Sequence, residues 1–355
     1  MNRELAYDWL FSTPVAVTNA VFTQFAQERQ AQLTKPPKSL GRLEELAIHL
    51  ATLQQTRRPS VDSIFITIFA GDHGIVAENV SAFSQSVTVE MIKNFTRSGA
   101  AINVLARAQD AVLEIINLGT VNDTSTLPVV RNYNLGPGTA NFLYQPAMTA
   151  DQLEAAMHAG HDAIERISNN PNSLFIGGEM GIGNTTSATA LACCLLNIPP
   201  AQLTGSGTGL DARGIAHKIS VISKALACHQ HSINSPLEAL RYFGGFEIAA
   251  LTGAYLHCAQ IGIPVLVDGF ISTVAALLAE SIKPGCQHWF IYSHISQEKG
   301  HRFVLDKLNA QPLLDLQMRL GEGSGAAVAV SLLKLACRLH NEMATFTEAQ
   351  VSEKI

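Results

Sequence analysis

Charge is scarce in this sequence. Only 15% of its 355 residues are charged, the formal net charge is −5, and Lys and Arg form no block anywhere. A dedicated nucleic-acid surface needs clustered cations set against phosphates, so that class is set aside. Long apolar stretches are missing too. No run of roughly 20 residues stays uncharged and hydrophobic, as a membrane-spanning helix requires. The nearest approaches are 63–70, closed by Gly71-Asp72-His73, and 326–337, interrupted by Lys334. The opening Met1-Asn2-Arg3-Glu4 lacks the basic and apolar regions of a secretory signal, and the expectation is a soluble cytoplasmic protein with no membrane span. Cysteines are few and show no C-x-x-C spacing. Cys193, Cys194, Cys228, Cys258, Cys286 and Cys337 fall mostly in apolar helix-like stretches, and they read as reduced core residues rather than as a disulfide framework or metal ligands. There is no internal repeat and no low-complexity tract.

What the chain does have is apolar bulk, at 47%, and 26 glycines. That length and composition support a real core, exclude a small stapled scaffold or long disorder, and point to a small-molecule partner. Short apolar runs rich in β-branched residues recur at 63–70, 111–119, 173–178, 263–269 and 288–294. Helix-period segments lie between and after them, at 88–107, 150–168, 185–196, 211–229, 246–261, 271–282 and 297–309. Near-continuous apolar strands alternating with helices predict an α/β fold: an open, mostly parallel, Rossmann-like sheet covered by helices on both faces. Ligands of such folds sit beyond the carboxyl ends of the strands. Residues 1–60 show helical patterning without a strand, and 324–344 reads as one closing helix. The expected organisation is a small helical subdomain from 1–60 with 325–355, and a large α/β domain over 61–324. The polar tail from Thr345 onward is expected to fray.

Several glycine turns sit where that architecture places ligands. Asp72 and His73 follow the first strand directly, which suits catalysis or simple turn chemistry equally. The stretch 177–186, GGEMGIGNTT, is a strand end, a glycine turn and a helix start. Its backbone N–H groups, the positive end of the helix and the side chains of Asn184, Thr185 and Thr186 make a phosphate cradle, or a tight turn with a capped helix. It is neither a Walker loop nor a dinucleotide fingerprint. GSGTGLD at 205–211 opens another helix, with Lys218 two turns on as a second anion contact, and Ser293-His294-Ile295-Ser296 follows the last strand. In LGEGSGA at 320–326, glycines on both sides of Glu322 leave room for a flat ligand against a carboxylate, which suits a base; the plainer reading is a surface loop. His158 and His161 share one helix but lack a third metal ligand nearby in the chain.

Taken together, these strings resemble the nicotinate-nucleotide:dimethylbenzimidazole phosphoribosyltransferase family. The resemblance runs through LTKPPKSLGRLE at 33–44, AGDHG at 70–74, GAAINVLAR at 99–107, GEMGIGNTT at 178–186, GGFEI at 244–248, PVLVDGF at 264–270, SHIS at 293–296 with EKG at 298–300, and LGEGSGA at 320–326. It implies transfer of the 5-phosphoribosyl group from nicotinate mononucleotide to a benzimidazole nitrogen, with inversion at C1′, in cobamide lower-ligand activation. It implies a homodimer and no metal or organic cofactor. Carried onto matching positions, Glu322 is the general base and Glu179 a second acid that positions substrate. Gly181, Gly183, Asn184, Thr185, Lys218 and Ser296 become phosphate and ribose contacts, and Phe83, Ser84, Met91 and Leu320 contacts to the aromatic base. Two positions depart from the family pattern: Lys38 and Ser98 stand where Gly is common. The alternatives are a phosphoribosyltransferase or nucleoside phosphorylase for another base, and a nucleotide-binding module without chemistry.

Overall fold

A computed structural model describes residues 8–352 apart from Pro171 and Gln230. Met1-Asn2-Arg3-Glu4 and the final three residues of the tail lie outside the described residues. Three helices, α1 (Asp8–Ser12), α2 (Ala20–Gln32) and α3 (Arg42–Leu53), precede strand β1 (Ser63–Gly71). Helices α4 (Ser86–Thr96) and α5 (Ala101–Ala108) lead to β2 (Val112–Gly119) and β3 (Val130–Asn132), and α6 (Ala150–Glu165) leads to β4 (Ser173–Met180). Between β4 and β5 (Val265–Val267) lie α7 (Asn184–Leu196), α8 (Pro200–Leu203), α9 (Ala212–His229), α10 (Pro236–Phe243) and α11 (Phe246–Ile261). The chain then runs through α12 (Phe270–Ile282), β6 (Phe290–Tyr292), α13 (His301–Lys307), α14 (Ser324–Glu342) and α15 (Phe346–Ala349).

All the strand pairings are parallel, and the order β3-β2-β1-β4-β5-β6 is that of a Rossmann sheet. Alternation along β1 divides the core. Ile64, Ile66, Ile68 and Ala70 pack with α3, α4, α5 and α14, whereas Phe69 joins the opposite layer of α6, α7 and α9 to α12. α11 is buried on every side except at Ile261, as its largely apolar sequence favours, and its buried Glu247, His257 and Gln260 are each hydrogen-bonded. Near the chain ends, the Arg29 guanidinium donates to the carbonyls of His340, Asn341 and Met343, and Leu33 bridges antiparallel to Thr345. No helix among the described residues is long and apolar enough to cross a membrane.

Several expectations need correction. The single helix over 88–107 is two, because Ser98 adopts a left-handed φ of 60° after α4 ends. Asn103 then knits the break, its amide donating to Phe95 O at 2.9 Å while its oxygen accepts from Ala100 N at 3.1 Å. The runs at 263–269 and 288–294 shrink to three-residue strands, and β3 was too short to announce itself. The helix over 297–309 contracts to α13. The tail does not fray at once: Thr345 and Glu348 form a capping box that starts α15. Cys228 is exposed on α9 rather than in the core, and Cys194 is only half-buried.

Candidate active site

The sheet order reverses between β1 and β4, and a deep cleft opens beyond the carboxyl ends of β4, β5 and β6. It is a cavity of about 630 Å³. Each wall begins where a strand stops: Glu179 to Ile182 with Asn184 and Thr185 at the end of β4, though Gly183 itself does not line the cavity, Asp268 to Ser272 after β5, and His294 and Ser296 after β6. The loop Arg319 to Glu322 closes the fourth side.

In the β4 turn, Glu179, Gly181, Asn184 and Thr185 line the cavity. Gly183 holds φ 99° at the N-cap of α7 and brings no capping side chain, so the positive end of that helix meets the cleft without a carboxylate of its own. Asn184 Nδ2 donates to Glu179 Oε2 in a short hydrogen bond. Lys218 sits one layer back. Its ammonium is buried and donates to Thr185 Oγ1 at 2.8 Å, so it steadies the turn and sends positive charge toward the cavity rather than lining it. Burial pulls its pKa down to about 8. Ser296 lines the opposite wall, with its hydroxyl accepting from Glu298 N at 3.2 Å.

The Glu322 loop is built differently. Gly321, Glu322 and Gly323 all lie in the left-handed region, at φ 86°, 62° and 78°. For Glu322 this is a sparsely populated conformation, held by its surroundings. A Cβ at Gly321 would overlap the Glu179 carboxylate, and one at Gly178 would meet the Glu322 carbonyl at 2.6 Å, so side chains at either place would push the loop off β4. Asp268 anchors the other end by accepting from Gly323 N at 3.2 Å and Ala326 N at 2.9 Å. One carboxylate oxygen of Glu322, Oε2, is buried without a hydrogen-bond partner.

Burial pushes the Glu322 carboxyl above the ordinary range, and the neighbouring Asp268 charge adds to the shift. Glu179 is pushed well above that range by burial first, then by Glu247, Asp268 and Glu322. Burial also raises Asp268, opposed by His294 and by backbone N–H groups. Acids of raised pKa in a cleft are what proton transfer uses.

Phe83, Met91 and Leu320 line the apolar side of the cavity, with Phe83 and Leu320 exposed at its mouth. Ser84 does not line it; its hydroxyl pairs with Ser86 at 2.8 Å. Asp72 and His73 are fully buried beneath the site. His73 Nε2 lies 2.7 Å from Glu247 Oε1, and Asp72 Oδ2 accepts from Val121 N at 2.9 Å, so both hold local structure. Asp268, His294, Glu298 and Arg319 were not assigned roles from the sequence, yet all four line the cavity. Their signal was positional: Asp268 and His294 fall at the ends of the apolar runs 263–269 and 288–294, just past the strands that form there. Two groups of His, Asp and Glu are close enough to share a metal ion among the described residues, and neither lines this cavity.

Known proteins resemble this chain over nearly its whole length. The profile of a phosphoribosyltransferase family matches residues 15–351. A nicotinate-nucleotide–dimethylbenzimidazole phosphoribosyltransferase of Pseudomonas fluorescens SBW25 is 57% identical over 98% of this chain and 98% of its own. One of the same name from Xanthomonas axonopodis pv. citri is 57% identical over 98% and 99%. The crystal structure of CobT from Thermus thermophilus superposes with a TM-score of 0.90 at 42% identity, covering 94% of this chain and 100% of that one.

Proposed function

This chain belongs to the phosphoribosyltransferase family of those relatives, and on that premise we propose that it moves the 5-phosphoribosyl group of nicotinate mononucleotide to a ring nitrogen of 5,6-dimethylbenzimidazole or a related base. The products are nicotinate and α-ribazole 5′-phosphate, with inversion at C1′, and the reaction serves assembly of the cobalamin nucleotide loop. The observation that carries the reading is the unpartnered Glu322 oxygen, in one cavity with the open N-terminus of α7.

The chemistry divides between those two features. The 5′-phosphate takes the N-terminus of α7, with Asn184, Thr185 and Ser296 around it and Lys218 behind Thr185. As the bond from C1′ to the pyridinium nitrogen breaks, its electron pair neutralises the ring, so nicotinate leaves without an acid. The incoming azole must shed its N–H proton, and Glu322 takes it. Its raised pKa makes the ionised carboxylate a stronger acceptor. Asp268, whose charge His294 and backbone N–H groups favour, faces the ribose as it becomes positive, and Glu179, tied to Asn184, positions it. Attack from the face opposite nicotinate gives the α anomer. Phe83, Met91 and Leu320 offer apolar surface to the flat acceptor. The same reading includes a cytoplasmic homodimer, which sizing in solution tests separately.

Incubation with nicotinate mononucleotide and 5,6-dimethylbenzimidazole is expected to yield nicotinate and α-ribazole 5′-phosphate in equal amounts. A β product would overturn inversion at C1′. No product with any benzimidazole or purine would overturn the activity itself.

A further inference from the structure

Both groups of potential metal-ligating side chains among the described residues lie where α6 crosses α11. The crossing is close because it is made of glycine. A Cβ on Gly160 would run into the Ala250 carbonyl, and one on Gly253 into the Met157 backbone. One turn further, His161 and Glu165, four apart on one face of α6, meet His257 of α11. The third ligand that His158 and His161 lacked in sequence thus arrives from a helix far along the chain. The ligand atoms of His161, Glu165 and His257 lie within 4.8 Å of one another.

Gln260 decides how His257 is oriented. Its amide Nε2 donates to the carbonyls of Trp9, Leu10 and Thr13 at 3.0, 3.2 and 3.1 Å. Its Oε1 therefore faces His257 Nδ1, at 3.2 Å, and can only accept. The hydrogen of a neutral His257 ring is then on Nδ1, and the Nε2 lone pair points at Glu165 Oε1, 2.5 Å away. Two lone pairs at that distance share a proton, and a metal ion with bonds of roughly 2.0–2.2 Å takes the proton's place once the pair opens to about 3 Å. A ligating histidine whose other nitrogen donates to a fixed acceptor is the usual outer arrangement of a metal site. The Glu165 side chain is 51% exposed, which leaves a route from solvent, and the His161 ring, stacked on His257 with centroids 3.9 Å apart, must tilt for both rings to face one ion.

We propose that His161, Glu165 and His257 bind one divalent transition-metal ion of the zinc class, at a site separate from the cavity, clasping α6 to α11 and, through Gln260, to the segment around α1. Two imidazole nitrogens and one carboxylate favour such an ion over Mg²⁺ or Ca²⁺, which take mostly oxygen. In the companion group of His158, His161 and Asp162, Asp162 Oδ1 lies 3.4 Å from His161 Nδ1, and no anchored acceptor among the described residues orients the rings as Gln260 orients His257.

The test uses the full chain after chelator treatment. Equilibrium dialysis against Zn²⁺ is expected to give one ion per chain, with Mg²⁺ not competing. Trp9, whose ring centroid is 4.8 Å from that of His161, reports directly: Cu²⁺ or Co²⁺ should quench its fluorescence, and Trp9→Phe should abolish that response. Glu165→Gln and His161→Gln should each weaken Zn²⁺ binding by about tenfold or more, while His158→Gln should not. Nicotinate release, where the proposed activity is present, should be unchanged in these variants. His257 is buried, so His257→Gln is used only if its circular dichroism matches the parent. Absence of saturable Zn²⁺ binding, or binding indifferent to Glu165→Gln and His161→Gln, would overturn the proposal and leave a proton as the cation of the Glu165–His257 pair.

Discussion

Two helices start at a glycine in the left-handed region beside the cavity, α7, whose Asn184 and Thr185 line it, and α14, which follows the lining residue Glu322, yet their N-termini serve opposite ends. At α7, Gly183 brings no side chain, and the positive end faces the cleft. At α14, the corresponding positive end is already taken by Asp268, whose carboxylate accepts from Gly323 and Ala326. One terminus is left for a ligand's phosphate. The other is occupied by the chain's own acid, which fixes the loop presenting Glu322. A glycine turn before a helix is therefore not an anion site in itself; what decides is whether the fold supplies a carboxylate to fill it.

If that division is right, the largest loss comes from the α14 side. Glu322→Gln keeps shape and hydrogen-bonding capacity but cannot take the azole proton, so kcat should fall by about 10²–10⁴-fold, read as nicotinate release. The KM for nicotinate mononucleotide should stay within about threefold, since phosphate binding belongs to α7. Turnover within threefold of the parent would break the assignment. The same variant should be more stable than the parent at pH 8. The folded-state pKa of Glu322 is raised, so its carboxyl favours the fold when protonated, below the ordinary value of 4.5, and that contribution is lost as pH rises through the raised pKa. Removing the charge removes the loss, and melting curves from pH 4 to pH 8 should show the gap widening with pH.

A smaller effect is expected from the α7 side. Lys218→Met leaves the cavity lining intact but removes the charge behind Thr185, and should raise the KM for nicotinate mononucleotide about tenfold, equivalent to about 1.4 kcal/mol, with kcat changed less. The pH profile separates the two turns. Activity should climb as Glu322 ionises, at a midpoint above 4.5, and decline near pH 8 as Lys218 loses its proton. Lys218→Met should erase the declining limb alone; if both limbs survive, the lysine does not act on the phosphate.

How far these features could be read in advance follows from which interactions are local. The near-continuous apolar strand runs and the helix-period segments between them are written in consecutive residues, so the parallel sheet and its covering helices were legible. Glu179 and Glu322 were legible because glycines flank them in strings shared with a family. Asp268 was not, because its work is done on backbone groups of Gly323 and Ala326, 55 and 58 residues onward. Lys218 could be placed on a helix next to an anion turn, but not in the layer behind it, since only packing against Thr185 settles that. His257 escaped for the same reason: helical spacing shows neighbours on α6, not what crosses it.

The smallest predicted effect bears on why Glu322 sits at a positive φ at all. Lys38 and Ser98 share that conformation, at φ 62° and 60°, and both are exposed. Neither lines the cavity, so no presented carboxylate explains their backbone. These are also the two positions where glycine is common in the family. Ser98 is the left-handed residue that ends α4, a place glycine fills without strain. Lys38→Gly and Ser98→Gly should therefore raise stability, the relieved strain of about 1 kcal/mol being partly offset by the greater freedom of glycine in the unfolded chain. The gain should be about 1–3 °C in Tm, with kcat and KM unchanged. Glu322→Gly should also gain stability, but with loss of activity. Should Lys38→Gly or Ser98→Gly instead lower Tm, the left-handed backbone at those sites is held by side-chain contacts, and the strain at Glu322 can no longer be assigned to presenting a base.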